Sequence, residues 1–275
     1  ERSRPALFSL PSGGRLLVSS DAGAWIVQPD GSRRLLGEYA SATWSPHGLY
    51  VAATRADELA ALEPDGGVRW SLARPAVLFA RWTGTQTDTR IAYVDRTGLR
   101  VVAGDGTGDR LIAPAETGPA AWRPGPHREL AYVSASEVRV QDAESGRVVW
   151  RAHRGPAEPV TSLSWSTDGS RLLVLAPHAL RVYDARGRLV ARDDPSGGTV
   201  DAAAAFISGT RRIAVIRVRG AQSDVFLLRS GRLLFRGTGL FEGLVPSPDG
   251  RWLLVGWPTA DQWVFIGTDG RRRIR

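Results

Sequence analysis

Short runs of large and β-branched apolar residues recur along the whole chain, at 16–18, 49–53, 91–94, 130–133, 172–175, 213–216 and 252–255. Each follows a turn former, and none continues with the spacing of an amphipathic helix. Runs this short, bounded by turn residues, predict buried strands, because a pleated surface favours such side chains. Beyond every run stands a second turn signal: Asp30-Gly31, Asp65-Gly66, Asp105-Gly106, Ser145-Gly146, Arg186-Gly187, Ser230-Gly231 and Asp269-Gly270. Glycine supplies the positive φ of a tight strand-to-strand turn, and Asp or Ser caps it with its own side chain.

Ahead of the runs lies a second repeated feature. Its clearest copies are Trp44-Ser45-Pro46-His47-Gly48, Trp165-Ser166-Thr167-Asp168-Gly169 and Pro246-Ser247-Pro248-Asp249-Gly250, with degenerate copies beginning at Leu10, Trp82, Trp122 and Phe206. These seven anchors lie 34 to 43 residues apart. A period near forty with four strands per unit predicts an all-β fold, one seven-bladed β-propeller of four antiparallel strands per blade, filling residues 1–275 as a single domain. One four-stranded blade cannot cover its own two apolar faces, so neighbouring blades must do that for one another. The aromatics at the anchors, Trp44, Trp82, Trp122, Trp165 and Phe206, are expected to wedge between blades.

At these residues the chain resembles the bacterial WD-repeat-like and TolB-like propeller families, whose blade signature is an aromatic, Ser-Pro-Asp-Gly, a basic residue and an apolar strand. The stretch from Pro246 to Arg251 matches except at the aromatic, and that from Trp44 to Gly48 matches except at His47. The resemblance implies the fold, and members of these families chiefly serve as protein-interaction scaffolds. Eukaryotic WD repeats end their third strand in Trp-Asp, whereas the nearest echoes here are Tyr183-Asp184 and Gln141-Asp142. The buried hydrogen-bond tetrad of that family is therefore not expected. Asp142, Ser145, Gly146 and Trp150 form an arrangement similar to the repeats of quinoprotein-type propellers, with Trp70 in a comparable place in its own unit. That second resemblance implies a pyrroloquinoline-quinone dehydrogenase or an outer-membrane assembly scaffold. Leu189 and Leu234 replace the Trp in later units, and the glycine and Trp serve a blade equally well without a quinone.

Composition narrows the chemistry. There is no cysteine, hence no disulfide, thiolate nucleophile or sulfur-based zinc site. Methionine, lysine and asparagine are also absent, so all 36 basic residues are arginine, a usage that points to a bacterium of high genomic GC. The net charge is +8, but the arginines are spread along the chain and only Arg271, Arg272, Arg273 and Arg275 form a dense run. A terminal run of this kind reads as a solvated tail or edge strand, and nucleic acid is not an expected partner. The chain opens at Glu1 and carries no apolar stretch of the roughly 18 residues a membrane span needs. The expectation is an extracytoplasmic domain, secreted, lipid-anchored or tethered, touching a membrane only through a removed N-terminal anchor.

No Gly-x-Ser-x-Gly elbow supplies a nucleophile, and His47, His127, His153 and His178 fall in different blades without metal-ligand spacing. Asp105 with Asp109, and Asp193 with Asp194, are too sparse for calcium. No catalytic residue, metal or cofactor is expected. In a propeller the loops between blades, and those between second and third strands, crowd one face, where a rigid scaffold positions functional residues. Asp57, Glu58, Arg96, His153, Arg154, His178, Trp257 and Asp261 are expected there, with Tyr39 and Phe241 from the inter-blade loops. Trp257, beside Pro258, is the leading functional aromatic, with packing over the channel mouth as the alternative. The expected function is non-catalytic recognition of a protein or polymer through these loops. The alternative is a quinoprotein-like or lyase-like propeller that binds a cofactor or acts as an enzyme.

Overall fold

A computed structural model describes residues 9–274 other than 86, 115–117, 127, 135–136 and 154–158. Most of the apolar runs become strands buried on both faces, and Leu172, Leu173, Val174 and Leu175 are all at most 3% exposed, whereas the 16–18 run is only half-buried. This is why they read as unbroken apolar stretches and do not alternate.

Seven antiparallel sheets follow one another in chain order, each built from one contiguous stretch. The first holds β1 (Leu16–Ser20), β2 (Gly23–Val27) and β3 (Arg33–Gly37). The second holds β4 (Ser41–Trp44), β5 (Val51–Arg55), β6 (Glu58–Leu62) and β7 (Val68–Ala73), and the third β8 (Leu78–Gly84), β9 (Thr89–Asp95), β10 (Gly98–Ala103) and β11 (Arg110–Pro114). The fourth holds β12 (Ala121–Trp122), β13 (Glu129–Ser134), β14 (Glu137–Asp142) and β15 (Val148–His153), and the fifth β16 (Ser162–Trp165), β17 (Arg171–Ala176), β18 (Ala179–Asp184) and β19 (Leu189–Asp193). The sixth holds β20 (Thr199–Phe206), β21 (Ile213–Arg219), β22 (Gln222–Leu227) and β23 (Leu233–Thr238), and the seventh β24 (Glu242–Pro246), β25 (Trp252–Trp257), β26 (Gln262–Gly267) and β27 (Arg273–Ile274). Seven such meanders make the seven-bladed β-propeller that the repeat predicts. Six blades have four strands, and the first has three among the described residues. The only helix among the described residues is a single 3₁₀ turn, Pro258–Ala260.

Each second turn is closed as its sequence requires, with Gly31, Gly66, Gly106, Gly146, Gly187, Gly231 and Gly270 all at φ between 64° and 98°. The last two strands of five blades share a register shift, at Ala24/Trp25, Ala61/Leu62, Leu99/Arg100, Val182/Tyr183 and Val225/Phe226. A bulge repeated at one place twists the outer strands of these five blades alike. One expected strand starts late: in the 49–53 run pairing begins at Val51, and Leu49 and Tyr50 belong to the preceding turn.

The chain divides into two compact units, one of Glu1–Trp122, Pro126–Leu130 and Gln141–Arg147, the other of Arg123–Gly125, Ala131–Val140 and Val148–Arg275. In the first, Ile26, Val51, Ala53 and Leu62 join one blade to the next, and Ala52, Leu59, Ile91, Tyr93 and Val102 join that blade to the third. In the second unit Leu173, Leu180, Phe206 and Val215 pack together, as do Ile216, Val225, Leu253 and Ile266. Anchor aromatics do wedge between blades. Trp122 donates its Nε1–H to the carbonyl of Arg81 at 3.0 Å, and in the other unit the Arg123 guanidinium lies 5.4 Å from the ring centre of Trp165.

Candidate functional site

In the first unit, backbone hydrogen bonds gather two expected loop residues onto one connector. The connector between β7 and β8 runs through Arg74, Pro75, Ala76 and Val77. Arg74 N donates to Asp57 O at 3.0 Å, Val77 N to Ala56 O at 3.1 Å, and Arg96 N to Pro75 O at 3.1 Å. Asp57 and Arg96 thereby flank the same segment with their side chains exposed, and Leu78 beside them is also exposed. Ala76 and Phe79 hold φ of 58° and 55°, a left-handed conformation that non-glycine residues adopt at a cost and that collects at functional segments.

Behind the connector stands a buried charge network that the sequence does not announce. Asp109 accepts from Arg74 Nη2 at 2.6 Å, from Arg100 Nη2 at 2.7 Å and from the Tyr93 hydroxyl at 2.7 Å. Burial by itself would raise the Asp109 carboxyl, but hydrogen bonds from Arg100, Tyr93 and Arg74 together outweigh it and hold the group below the usual carboxylate range. Burial, followed by the bond to Asp109, pushes the Tyr93 hydroxyl well up. Asp95, also buried, accepts from Thr97 N and Oγ1 at 2.7 and 2.6 Å. The connector is thus fixed from beneath and free above.

Tyr39 is a correction to the sequence reading. It is 6% exposed, with the Arg55 guanidinium 5.4 Å from its ring centre, and burial raises its hydroxyl. It presents no free aromatic face. Glu58 is paired with Arg55.

In the second unit His153 ends β15 and His178 lies in the turn between β17 and β18, both exposed. Arg154 and His127 lie outside the described residues. Below His178, Asp201 N donates to Pro177 O at 2.8 Å, and the fully buried Asp201 carboxylate accepts from Arg217 Nε at 2.7 Å and Nη2 at 3.0 Å. Burial raises Asp201 above the usual carboxylate range, more than Arg217 and His178 lower it. Arg217 is shared with Asp193. Among the described residues no group of three or more His, Asp or Glu is placed to hold a metal ion.

Phe241 is the second correction, and Trp257 packs beside it. Trp257 donates its Nε1–H to Thr238 O at 2.8 Å and meets Phe241 and Phe235 edge-on, with centroids 5.4 and 5.9 Å away. Phe241 is 2% exposed and stacked on Phe235. Trp257 is half-buried, and its ring joins Phe241 and Phe235 in a cluster at the seam between the sixth and seventh blades. Asp261, exposed with φ 50°, closes the 3₁₀ turn through its N–H to Pro258 O.

The quinoprotein-like residues also pack. Asp142 caps its turn through Ser145 N and Oγ, and Trp150 covers Gly187 of the next blade so closely that a Cβ there would lie 2.7 Å from the ring. Trp70 covers Gly106 in the same way, and its Nε1 donates to Gly104 O at 2.9 Å. Glycine is required at both positions because no side chain fits beneath the indole.

No family model matches the chain, and no curated protein matches it. Solved structures do. A structure described as the crystal structure of mitotic checkpoint complex superposes with a TM-score of 0.69 at 16% identity, covering 95% of this chain and 90% of the other. The C-terminal WD40 domain of Sif2 superposes with a TM-score of 0.68 at 13% identity, covering 94% and 79%. At such identities the likeness is one of fold: this is a WD40-like seven-bladed β-propeller.

Proposed function

We propose that the chain is one non-catalytic binding domain that recognises a protein partner through the loop ends of its blades, with the segment around Arg74, Leu78, Asp57 and Arg96 as the contact centre. The observation that carries this reading is the backbone lacing of the Asp57 and Arg96 loops onto the strained Arg74 to Phe79 connector. Exposed opposite charges and an exposed leucine stand on a segment that cannot drift, because Arg74 is held by Asp109 from below. Rigidly presented loop residues of mixed charge and apolar character are what selective protein recognition uses. The ionisable groups that do converge are committed to one another, which favours binding over proton transfer. The likeness to WD40 domains, one of them described within a complex, supports the same reading.

The test is a pull-down with the chain as bait in its host, repeated with Arg96→Ala, Leu78→Ser and Arg154→Ala, and with Arg272→Ala/Arg273→Ala as control. A captured partner should bind the loop variants more weakly, and the Arg96 and Arg154 changes should flatten the salt dependence. Affinity that survives the loop changes and collapses with the terminal arginines overturns the proposal.

A further inference from the structure

The third blade opens differently from the second and the fifth. β4 and β16 pair with the strands after them without a shift, whereas in β8 Leu78 faces Val94 and Arg81 faces Ala92, so that Phe79 and Ala80 together stand opposite Tyr93. Bulges of this kind re-aim a side chain and collect next to functional sites. Here the bulge carries Phe79 at φ 55° and leaves Arg81 exposed three residues on from the exposed Leu78, within about 10 Å along the strand. The opening strands of the sixth and seventh blades also shift, around Ala202 and Gly243, but carry no arginine.

Among the described residues Arg81 is the only basic residue on the opening strand of any four-stranded blade. Its surroundings are those of a recess: the side chain reaches solvent, yet the protein around it pushes the guanidinium below its usual range, and no acid is close enough to oppose that. Crowded arginines elsewhere are compensated. Hydrogen bonds to Asp109 raise Arg74 and Arg100, and those to Asp201 raise Arg217, each against the opposing effect of burial. Desolvating a cation without a counter-charge costs stability, and groups perturbed in this way collect at functional sites.

The guanidinium is also held in place. Nη1 donates to Ala80 O at 2.9 Å, and the Arg81 carbonyl accepts from Trp122 Nε1 at 3.0 Å. Nε and Nη2 have no partner among the described residues, and in a guanidinium they lie along one edge of a planar group. Two parallel N–H donors in one plane match the two oxygens of a carboxylate, which takes both at once. Among the side chains of a partner protein, aspartate and glutamate carry that group, and an extended segment resting on Leu78 would bring one within reach of Arg81.

We propose that Arg81 is the specificity-determining cation of the loop-end site, taking the carboxylate of an aspartate or glutamate on an extended segment of the partner protein, an inference that rests on the loop-end reading. The probe is capped tetraglutamate titrated into the full chain by calorimetry, with capped tetraglutamine and inorganic phosphate as comparison ligands. Saturable binding of tetraglutamate is expected, weakened about tenfold or more in Arg81→Gln and less in Arg81→Lys, which keeps the charge and loses the fork. Arg81→Gln should keep or raise the melting temperature, because it removes a charge that the fold does not compensate, whereas loss of a structural arginine would lower it. Arg272→Ala/Arg273→Ala should leave binding unchanged. The captured partner's response to Leu78→Ser judges the loop-end reading separately. A loss there, with tetraglutamate bound equally by the parent and by Arg81→Gln, leaves that reading standing and overturns the role of Arg81; a partner indifferent to Leu78→Ser, with tetraglutamate weakened in Arg81→Gln, sinks the reading and keeps Arg81 as a carboxylate site. Absence of saturable tetraglutamate binding, a fall in melting temperature in Arg81→Gln, an equal loss in the terminal-arginine variant, or saturation by phosphate or tetraglutamine in place of tetraglutamate also overturns the proposal.

Discussion

Asp109 and Asp201 are both buried carboxylates set against arginine at a blade seam, one in each compact unit, and the fold moves them in opposite directions. Desolvation acts on both and favours the neutral form. Asp109 accepts from two arginines and a tyrosine hydroxyl, enough to reverse that effect, with Arg100 also 3.7 Å from Asp95. Asp201 has one arginine, which it shares with Asp193, and the Asp193 charge works against it. Donor number and depth of burial act together: Asp201 is fully buried and faces one shared arginine, whereas Asp109 is less deeply buried and faces three donors.

The largest effect is expected from Asp109→Asn. It leaves a one-third exposed Arg74 and an Arg100 that keeps Asp95 facing a neutral amide, and losing hydrogen bonds to a charged group costs about 2 to 3 kcal/mol. A urea titration showing a loss under about 1 kcal/mol would mean that the network contributes little. Asp201→Asn should cost less, about 1 to 2 kcal/mol, because Arg217 keeps Asp193 and the site already disfavours the charge. Equal losses in the two variants would erase the contrast.

Acidification sharpens it. The folded Asp109 lies below its ordinary value of 3.8, so its contribution is full above that value and is lost as pH falls through the lower folded one. The folded Asp201 lies above 3.8, so the fold takes up its proton first. Its contribution is present at low pH and is lost as pH rises through the raised value. Denaturant midpoints measured from neutral pH down through the carboxylate range should fall less steeply in Asp109→Asn than in the parent, and more steeply in Asp201→Asn. The smallest effect is expected from Arg96→Ala, whose exposed side chain should change stability by under about 0.5 kcal/mol in the same titration.

Much of the blade was legible along the chain because it is local chemistry. An Asp-Gly pair closes a turn, and a four-residue apolar run buried on both faces looks the same in any blade. The 49–53 run misled for a reason of the same kind: Leu49 and Tyr50 are apolar, yet the serine of the preceding turn holds Tyr50 N and delays the strand to Val51. Exposed loop positions were likewise readable, and Asp57, Arg96, His153, His178 and Asp261 stand in exposed loops or at a strand end. The burial of Tyr39 and Phe241 was not, because each sits in a loop by sequence and is covered by the side chain of a neighbouring strand, Arg55 or Phe235.

What the amino-acid sequence determined by itself is the period, the strands within it and the glycine turns that join them, since each depends on neighbours within a few residues. Only the tertiary structure decided which charges are buried together and which aromatics meet. Arg74 reaches Asp109 across 35 positions, and Tyr50 reaches Trp82 from the next blade. Contacts at about one repeat length are made by stacking blades, and the pairing of side chains across such a seam depends on register and shape that no single repeat encodes.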